Sequence, residues 1–228
     1  MKKELSIRLS TVANLIKRDS VVADIGCDHA FLSIYLIESG IAKKVYASDV
    51  NVGPLEIAKK HVAEANLTDK IKTVLSDGLE NIPDECDEIV IAGMGGLVIS
   101  KILDNCDRIK SERVGLVLQP MSDAITLRRY LAQNGFEIIT ETAFEDAGHL
   151  YSAMRVTYSG KAANLEEWQY YVGGLGEKND ADAKLYIEKE RDKLYKKIKG
   201  ISASTPDDRS VALYRETVLQ LERVLDSF

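Results

Sequence analysis

From residue 21 to residue 134 the sequence alternates between short apolar runs and longer segments of helical period. Strands are expected over 21–25, 44–47, 71–75, 88–92 and 114–118. Helices are expected over 31–39, 54–65, 97–106 and 124–134, the first and last closed by Gly40 and Gly135. Strands separated by crossovers of this kind imply a parallel sheet with connecting helices. Two more strands, 136–144 and 151–158, follow with no helix between them. They read as a hairpin, which puts one antiparallel strand into an otherwise parallel sheet. Ahead of all this, Leu5, Leu9, Val12 and Ile16 share one face of an opening helix, at spacings of four and three.

The pattern changes after about Ser159. Gly173, Gly174 and Gly176 mark a break, and two helical segments follow, joined by the stretch 200–210, GISASTPDDRS. On the first, Ile187, Arg191, Leu194, Ile198 and Ile201 step by 4, 3, 4, 3. On the second, Val211, Tyr214, Val218, Leu221 and Leu225 step by 3, 4, 3, 4. Seams of this period suit two packed helices, and an antiparallel hairpin is the economical arrangement. Asp207 or Asp208 suits the N-cap of the second helix. The expected division is an α/β domain over 1–159 and a helical coiled-coil domain over 160–228, within the ordinary size of folded units.

Three cysteines, Cys27, Cys86 and Cys106, lie far apart with no CxxC spacing. Neither a disulfide framework nor a metal site is expected from them. The N-terminal MKKELSIRLSTVANLIKR is too often interrupted by polar residues for a signal-peptide core. The longest nearly unbroken apolar run, 89–99, contains three glycines and is too short to span a bilayer. A cytoplasmic protein is expected. The net charge of −6 does not by itself suggest a polyanionic partner. Its distribution softens that objection: residues 189–199, KERDKLYKKIK, hold six basic and two acidic side chains, a local balance of +4.

The segment Val21-Val22-Ala23-Asp24-Ile25-Gly26-Cys27-Asp28-His29 ends an apolar run in Asp-x-Gly and opens into a helix. At the carboxyl end of a first parallel strand, Gly26 lets backbone approach a ligand closely. A GxGxxG dinucleotide fingerprint would need its second glycine where Asp28 stands, and its third is absent. The Asp28 carboxylate would repel a pyrophosphate. S-adenosylmethionine has no phosphate and carries a sulfonium and an ammonium, so carboxylates around this turn suit it. A tight turn without a ligand is the plain alternative. Asp49 lies about 20 residues past the turn, the distance at which an acid receives adenosine ribose hydroxyls. Helix N-capping by Asp49 or Asn51 is compatible with that role. Asp77-Gly78 closes the third strand, where an acid can accept from the adenine amino group or simply form an Asp-Gly turn. Asp24, Asp49 and Asp77, at three successive strand ends, would point into the crevice outside the strand carboxyl ends. The fourth strand ends in Ile91-Ala92-Gly93-Met94-Gly95-Gly96, which either leaves room for a flat base or is a flexible turn. The Asn/Asp-Pro-Pro-aromatic motif of many amino-group methyltransferases is absent there. The expected cofactor contacts are Asp24, Gly26, Cys27, Asp28, Asp49, Val50, Asp77, Gly78, Gly93 and Met94.

Leu5-Ser6-Ile7-Arg8-Leu9, Ala23-Asp24-Ile25-Gly26-Cys27-Asp28-His29, Ser76-Asp77-Gly78-Leu79, Ile91-Ala92-Gly93-Met94-Gly95-Gly96 and Leu118-Gln119-Pro120 together resemble the TrmK family. These are bacterial tRNA methyltransferases acting on N1 of adenine at tRNA position 22. The resemblance spans the α/β domain, and the helical tail is similar to that family's coiled-coil domain. Cys27 departs from it, standing where Ser or Thr is expected. The resemblance implies a class I Rossmann-like methyltransferase fold, S-adenosylmethionine as methyl donor and tRNA as substrate. In such a reaction N1 is already a nucleophile, so the protein mainly positions it, and adenine 22 must leave its stack.

Asp28 and His29 are then the groups expected beside the target base, one accepting from the adenine amino group. Alternatively both only shape the cofactor turn. His61 and His149 have no partner visible in the sequence and read as surface residues. Arg8, Lys193, Lys196, Lys197 and Lys199, with Lys189 and Arg191, are expected on tRNA phosphates. A solvated coiled-coil face is the equal alternative for the tail lysines, in which case Arg8, Lys17, Arg128 and Arg129 are the next place to look. Other readings are a small-molecule or protein methyltransferase, and a non-catalytic RNA-binding module. The three strand-end acids argue against the last, because RNA binding does not require them.

Overall fold

The computed structural model describes residues 5–178, 180–204 and 209–228. Seven strands form one sheet: β1 (Ser20–Ile25), β2 (Ala42–Asp49), β3 (Ile71–Leu75), β4 (Glu88–Gly95), β5 (Gly115–Ser122), β6 (Phe136–Asp146) and β7 (His149–Tyr158). Their order is β3-β2-β1-β4-β5-β7-β6. The pairs β3/β2, β2/β1, β1/β4 and β4/β5 are parallel, while β7 is antiparallel to both β5 and β6. The expected mostly parallel sheet with one antiparallel strand is therefore present. β1 starts in the middle, the chain moves outward to β3, then returns to lay β4 on β1's other side. That reversal between β1 and β4 is where an open α/β sheet leaves a crevice.

The helices are α1 (Ile7–Leu15), α2 (Phe31–Glu38), α3 (Val52–Glu64), α4 (Gly96–Asp104), α5 (Ala124–Gln133), α6 (Glu167–Val172), α7 (Ala181–Ser204) and α8 (Arg209–Leu225). Successive strand residues feed opposite layers, as period-two geometry requires. Val22, Val90 and Val117 join Val12, Leu36 and Val62 in the layer under α1, α2 and α3. Ala23, Ile89, Ile91, Leu116 and Leu118 join Ile99, Leu103, Leu127 and Leu131 under α4 and α5. Burial on both faces explains why these strands read as continuous apolar runs.

The C-terminal helices α7 and α8 pack against each other. Ile187 and Leu194 of the first seam and Val218, Leu221 and Leu225 of the second are buried together. Arg191, counted in the first seam, instead pairs with Asp192 at 2.8 Å. The same cluster contains Ala143 of β6 and Tyr171 and Val172 of α6, so the tail lies on the hairpin side of the sheet. α7 runs on through Ser204, so the first part of the expected connector is helical. Asp207 and Asp208, the expected caps, lie outside the described residues.

α6 escaped the sequence pattern. Its six residues are too few for a helical period to register, and the glycines after it read as a break. Those glycines pass over a buried ion pair. Arg128 of α5 and Glu141 of β6 are 2% and 0% exposed and meet at 2.6 Å. A Cβ on Gly173 would fall on the Glu141 carboxylate and Arg128 Nε. The guanidinium also donates to the carbonyls of Tyr170 and Tyr171 at 3.0 and 3.1 Å and to the Tyr186 hydroxyl at 3.4 Å. Glu141 accepts in turn from the Gly174 N–H at 3.0 Å. One pair thus joins α5, β6, α6 and α7.

Breaking this pair leaves a carboxylate buried without its cation, a loss of about 3–5 kcal/mol. Arg128→Met is expected to lower the unfolding free energy by that amount in urea titrations. Arg128→Lys should recover little, because an ammonium cannot reproduce the planar fork. Near-parental stability of either variant would remove the pair from its place as the tail's anchor.

Candidate functional site

β1 is followed by Gly26, whose φ of +72° is a left-handed conformation. The N–H groups of Gly26 and Cys27 both donate to the Ser48 carbonyl at 2.8 Å, tying the turn to β2. A Cβ on Gly26 would fall on the Met94 methyl, so the turn and the β4 loop touch at the reversal point. Asp28 and Ala30 also have positive φ, 49° and 59°. For non-glycine residues that conformation costs on the order of 1–3 kcal/mol each, and such strain clusters at ligand sites.

The acids occupy different depths. Asp24 is 4% exposed and accepts from the Ser33 hydroxyl at 2.6 Å, so its carboxyl faces α2 and not the open crevice. Burial pushes this carboxyl up to about 6, with the Ser33 hydrogen bonds working in the opposite direction. Asp49, at the end of β2, accepts from the Asn51 N–H at 2.9 Å through Oδ1. Oδ2 of Asp49 makes no hydrogen bond with the described residues. Asn51 itself makes no capping bond, so Asp49 serves the start of α3. Asp77 is exposed, in a turn where Gly78 has a φ of +53°. Leu75 is the register partner of Asp49. With Val50 it leaves apolar surface beside that acid, the two being 49% and 58% exposed. Leu75 gave no sequence signal, because it reads as an ordinary strand residue.

Asp28 projects into solvent, its carboxylate 69% exposed and 3.5 Å from His29 Nε2. His29 Nδ1 is buried with no hydrogen-bond partner among the described residues. His61, expected at the surface, instead belongs to this turn. Its Nδ1 lies 3.0 Å from the His29 carbonyl, which makes Nδ1 the donor. Its ring stacks on Phe31 at 5.2 Å and meets His29 edge-on at 5.9 Å. The contact brings α3 back onto the β1 turn from 32 residues away. His149 is exposed and meets Tyr151 edge-on, away from this cluster. Cys27 is buried, and burial together with Asp24 pushes its thiol far up, so it supplies no thiolate.

The Gly-Met-Gly-Gly segment, expected as a turn, ends β4 and opens α4, and it is held, not loose. Gly93, with a φ of +82°, donates its N–H to Gln119 Oε1 at 3.1 Å, and the fully buried Gln119 donates to the Pro120 carbonyl at 2.9 Å. A Cβ on Gly96 would fall on the Asp123 carbonyl, so this glycine serves the packing of α4 against the start of α5. Gly93 faces a different neighbour. Its Cβ would lie 3.1 Å from Arg8 Nη1, which brings α1 to the crevice.

The remaining basic residues divide clearly. Lys193, Lys196, Lys197 and Lys199 are exposed on α7. Lys193 pairs with Glu190 at 2.7 Å, and Lys197 sits over the Tyr214 ring at 4.3 Å. Lys189 is turned inward, donating to the Leu150 carbonyl at 2.6 Å, and burial lowers its pKa. Arg128, suggested as an alternative RNA contact, is buried in its ion pair and cannot reach a phosphate. Arg129 pairs with Glu167 at 2.6 Å and stacks on Tyr170. Lys17 borders a cavity with Asp87 and Glu88 at the amino ends of the strands, opposite the crevice. A larger cavity of about 570 Å³, bordered by Phe136, Trp168 and Val224, contains none of the expected cofactor residues.

The methyltransferase domain family profile matches residues 5–154. The tRNA (adenine(22)-N(1))-methyltransferase of Bacillus subtilis is 37% identical over 152 residues, which is 66% of this chain and 64% of that enzyme. TrmK of M. capricolum, solved with S-adenosyl-homocysteine, superposes with a TM-score of 0.82 at 28% identity, over 98% of this chain and 99% of that one. An NADB-Rossmann superfamily protein of Streptococcus agalactiae superposes with a TM-score of 0.86 at 33% identity, over 99% of each chain.

The position of Asp24 has a consequence for stability. Its carboxyl titrates at about 6 in the folded chain and at 3.8 ordinarily. The folded state therefore holds a proton that the unfolded state has released. The resulting contribution is fully present below pH ~4 and is lost as pH rises through ~6. Stability of the parent relative to Asp24→Asn should fall by on the order of 2–3 kcal/mol between pH 4 and 7. Urea unfolding across that range checks it, and a pH-independent difference would show that the Asp24 carboxyl titrates alike in the folded and unfolded chain.

Proposed function

The chain belongs to the TrmK family of methyltransferases, and we propose that it transfers a methyl group from S-adenosylmethionine to N1 of adenine 22 in tRNA. The observation that carries this reading is the left-handed glycine turn at the β1/β4 reversal, with Asp49 and Asp77 on the next two strand ends. The pocket chemistry fits the donor. The missing Cβ atoms of Gly26 and Gly93 let Met94 and Arg8 close in on the reversal point; Asp49 Oδ2 suits a ribose hydroxyl; Val50 and Leu75 offer apolar surface for an adenine ring. S-adenosylmethionine supplies an electrophilic methyl group on a sulfonium.

The protein's own part is orientation. Asp28 is the carboxylate exposed at the turn, and it accepts from the exocyclic amino group of the target adenine. That contact places N1 toward the methyl and favours the amino tautomer in which N1 carries its lone pair. His29 limits the swing of Asp28, and His61 holds the His29 backbone. Orientation of this kind supplies much of the barrier reduction when the nucleophile is already competent. Cofactor contacts fall to Gly26, Cys27, Asp49, Val50, Asp77, Gly78, Gly93 and Met94, with Asp24 buttressing the turn from below. Residues up to 159 carry catalysis and residues 160–228 carry the RNA-facing helices. A tRNA substrate puts the protein in the cytoplasm.

Incubation with unmodified tRNA and methyl-labelled S-adenosylmethionine should label adenine 22 at N1, read by nuclease mapping. Asp28→Ala should lower kcat by at least about tenfold, the effect of removing one orienting hydrogen bond to a charged group, with cofactor affinity little changed. Label in a protein or small molecule, or none in tRNA, would sink the assignment. Normal kcat with weakened cofactor binding would confine Asp28 to the cofactor turn.

Lys193, Lys196, Lys197 and Lys199 are the surface proposed for tRNA phosphates. Replacing all four by Ser should weaken tRNA binding and flatten its dependence on salt. The log–log slope should fall by about 0.9 for each duplex phosphate no longer neutralised. Cofactor affinity should not change. Superimposable salt titrations for parent and variant would make α7 a structural helix only.

A further inference from the structure

We infer that Met121 is a wedge: it fills the gap left in the RNA stack when the target adenine turns into the crevice. This rests on the tRNA reading above. Three observations carry it.

The first is register. Along the parallel pair β4/β5, Ala92 is the partner of Gln119, Met94 of Pro120 and Gly95 of Ser122. Gly93 is therefore an extra residue on β4, and Met121 an extra residue on β5. Bulges are uncommon between parallel strands, and beside active sites they re-aim a side chain. Both stand at the carboxyl ends of their strands, on the side where the crevice opens. The second bulge turns an unbranched apolar side chain outward. Met121 is 41% exposed directly after five buried residues.

The second is fixation. A methionine side chain has three rotatable bonds and adapts readily to its surroundings. This one is held. The fully buried Gln119 accepts from the Gly93 N–H at 3.1 Å through Oε1, and its Nε2 donates to the Pro120 carbonyl at 2.9 Å and to Met121 Sδ at 3.8 Å. One buried amide thus sets both bulged residues relative to each other.

The third is continuity with the surface proposed for phosphates. β5 lies between β4 and β7, and α7 packs on β6 and β7, so Met121 stands between the crevice and the tail. A cleft of about 240 Å³ is bordered by Met121, Tyr151 and, on α7, Lys189 and Lys193. An RNA strand held on Lys193 passes Met121 on its way to the crevice. Turning a base out of its stack is costly, and proteins that open a stack insert apolar side chains, methionine among them, into the opening.

The test uses tRNA with 2-aminopurine, whose fluorescence rises when it leaves a stack, in place of adenine 22. Binding of the parent should raise the emission. Met121→Ala should bind this tRNA without the rise. It should also lower kcat/KM for unmodified tRNA by roughly 10- to 100-fold, because nothing then offsets the opening of the stack. Met121→Leu should restore both. Calorimetric affinity for S-adenosylmethionine should be parental in both variants, which also shows that they are folded. A parental rise and parental turnover in Met121→Ala would overturn the inference. So would weakened cofactor binding in that variant, which would make Met121 a support for the Gly93 bulge. A Leu variant as poor as the Ala variant would tie the effect to the Gln119 contact and overturn the wedge as well. A parent that leaves adenine 22 unmethylated would overturn the tRNA reading itself, a failure seen before any variant is made.

Discussion

A parallel sheet covered on both faces has few places where a ligand can reach several strands at once. Here the reversal between β1 and β4 is such a place, and the site rests on it. Helices leave the two strands on opposite sides of the sheet, so neither covers the strand ends between them. The opening is narrow because the two loops touch: the Met94 methyl occupies the space a side chain at position 26 would need. The glycine turn is thus required twice, by its left-handed backbone and by its neighbour.

Much of this was legible in the sequence because period-two and helical patterns report burial, and burial on both faces of a sheet is a strong constraint. The five parallel strands and the closing hairpin appear where apolar runs place them. The strand-end acids were legible for a related reason: a polar residue ending an apolar run has few structural uses. What the pattern could not report is direction. Asp24, Asp49 and Asp77 occupy equivalent places in the sequence, yet Asp24 turns inward to Ser33 while Asp77 stays in solvent. Nor could it report meetings between distant elements. His61 reaches His29 only because α3 packs beside the β1 turn, and Arg128 was legible as a surface cation only until β6 supplied Glu141. Patterns of local period carry no record of such pairs.

The electrostatic arrangement resolves an apparent conflict in an acidic chain of net charge −6 with a proposed polyanionic partner. Asp28, Asp49 and Asp77 stand where a cationic donor would lie, and the exposed Lys193, Lys196, Lys197 and Lys199 stand on one stretch of α7. The two regions belong to different elements and are proposed for different ligands. Net charge averages over both and describes neither, which is why it carries so little weight as a functional indicator.

The anchoring of α7 has a geometric corollary. Tyr186, near the start of the helix, is fixed to Arg128, and the exposed lysines come later along the same axis. From Tyr186 to Lys199 is about 20 Å at the rise of an α-helix. A helix pinned at its root acts as a ruler, marking off a set length from the body of the protein. Each residue inserted between pin and lysines would extend the ruler by about 1.5 Å and rotate its graduations by about 100°. The length of this stretch is therefore constrained by register as well as by reach, whatever side chains occupy its outer face.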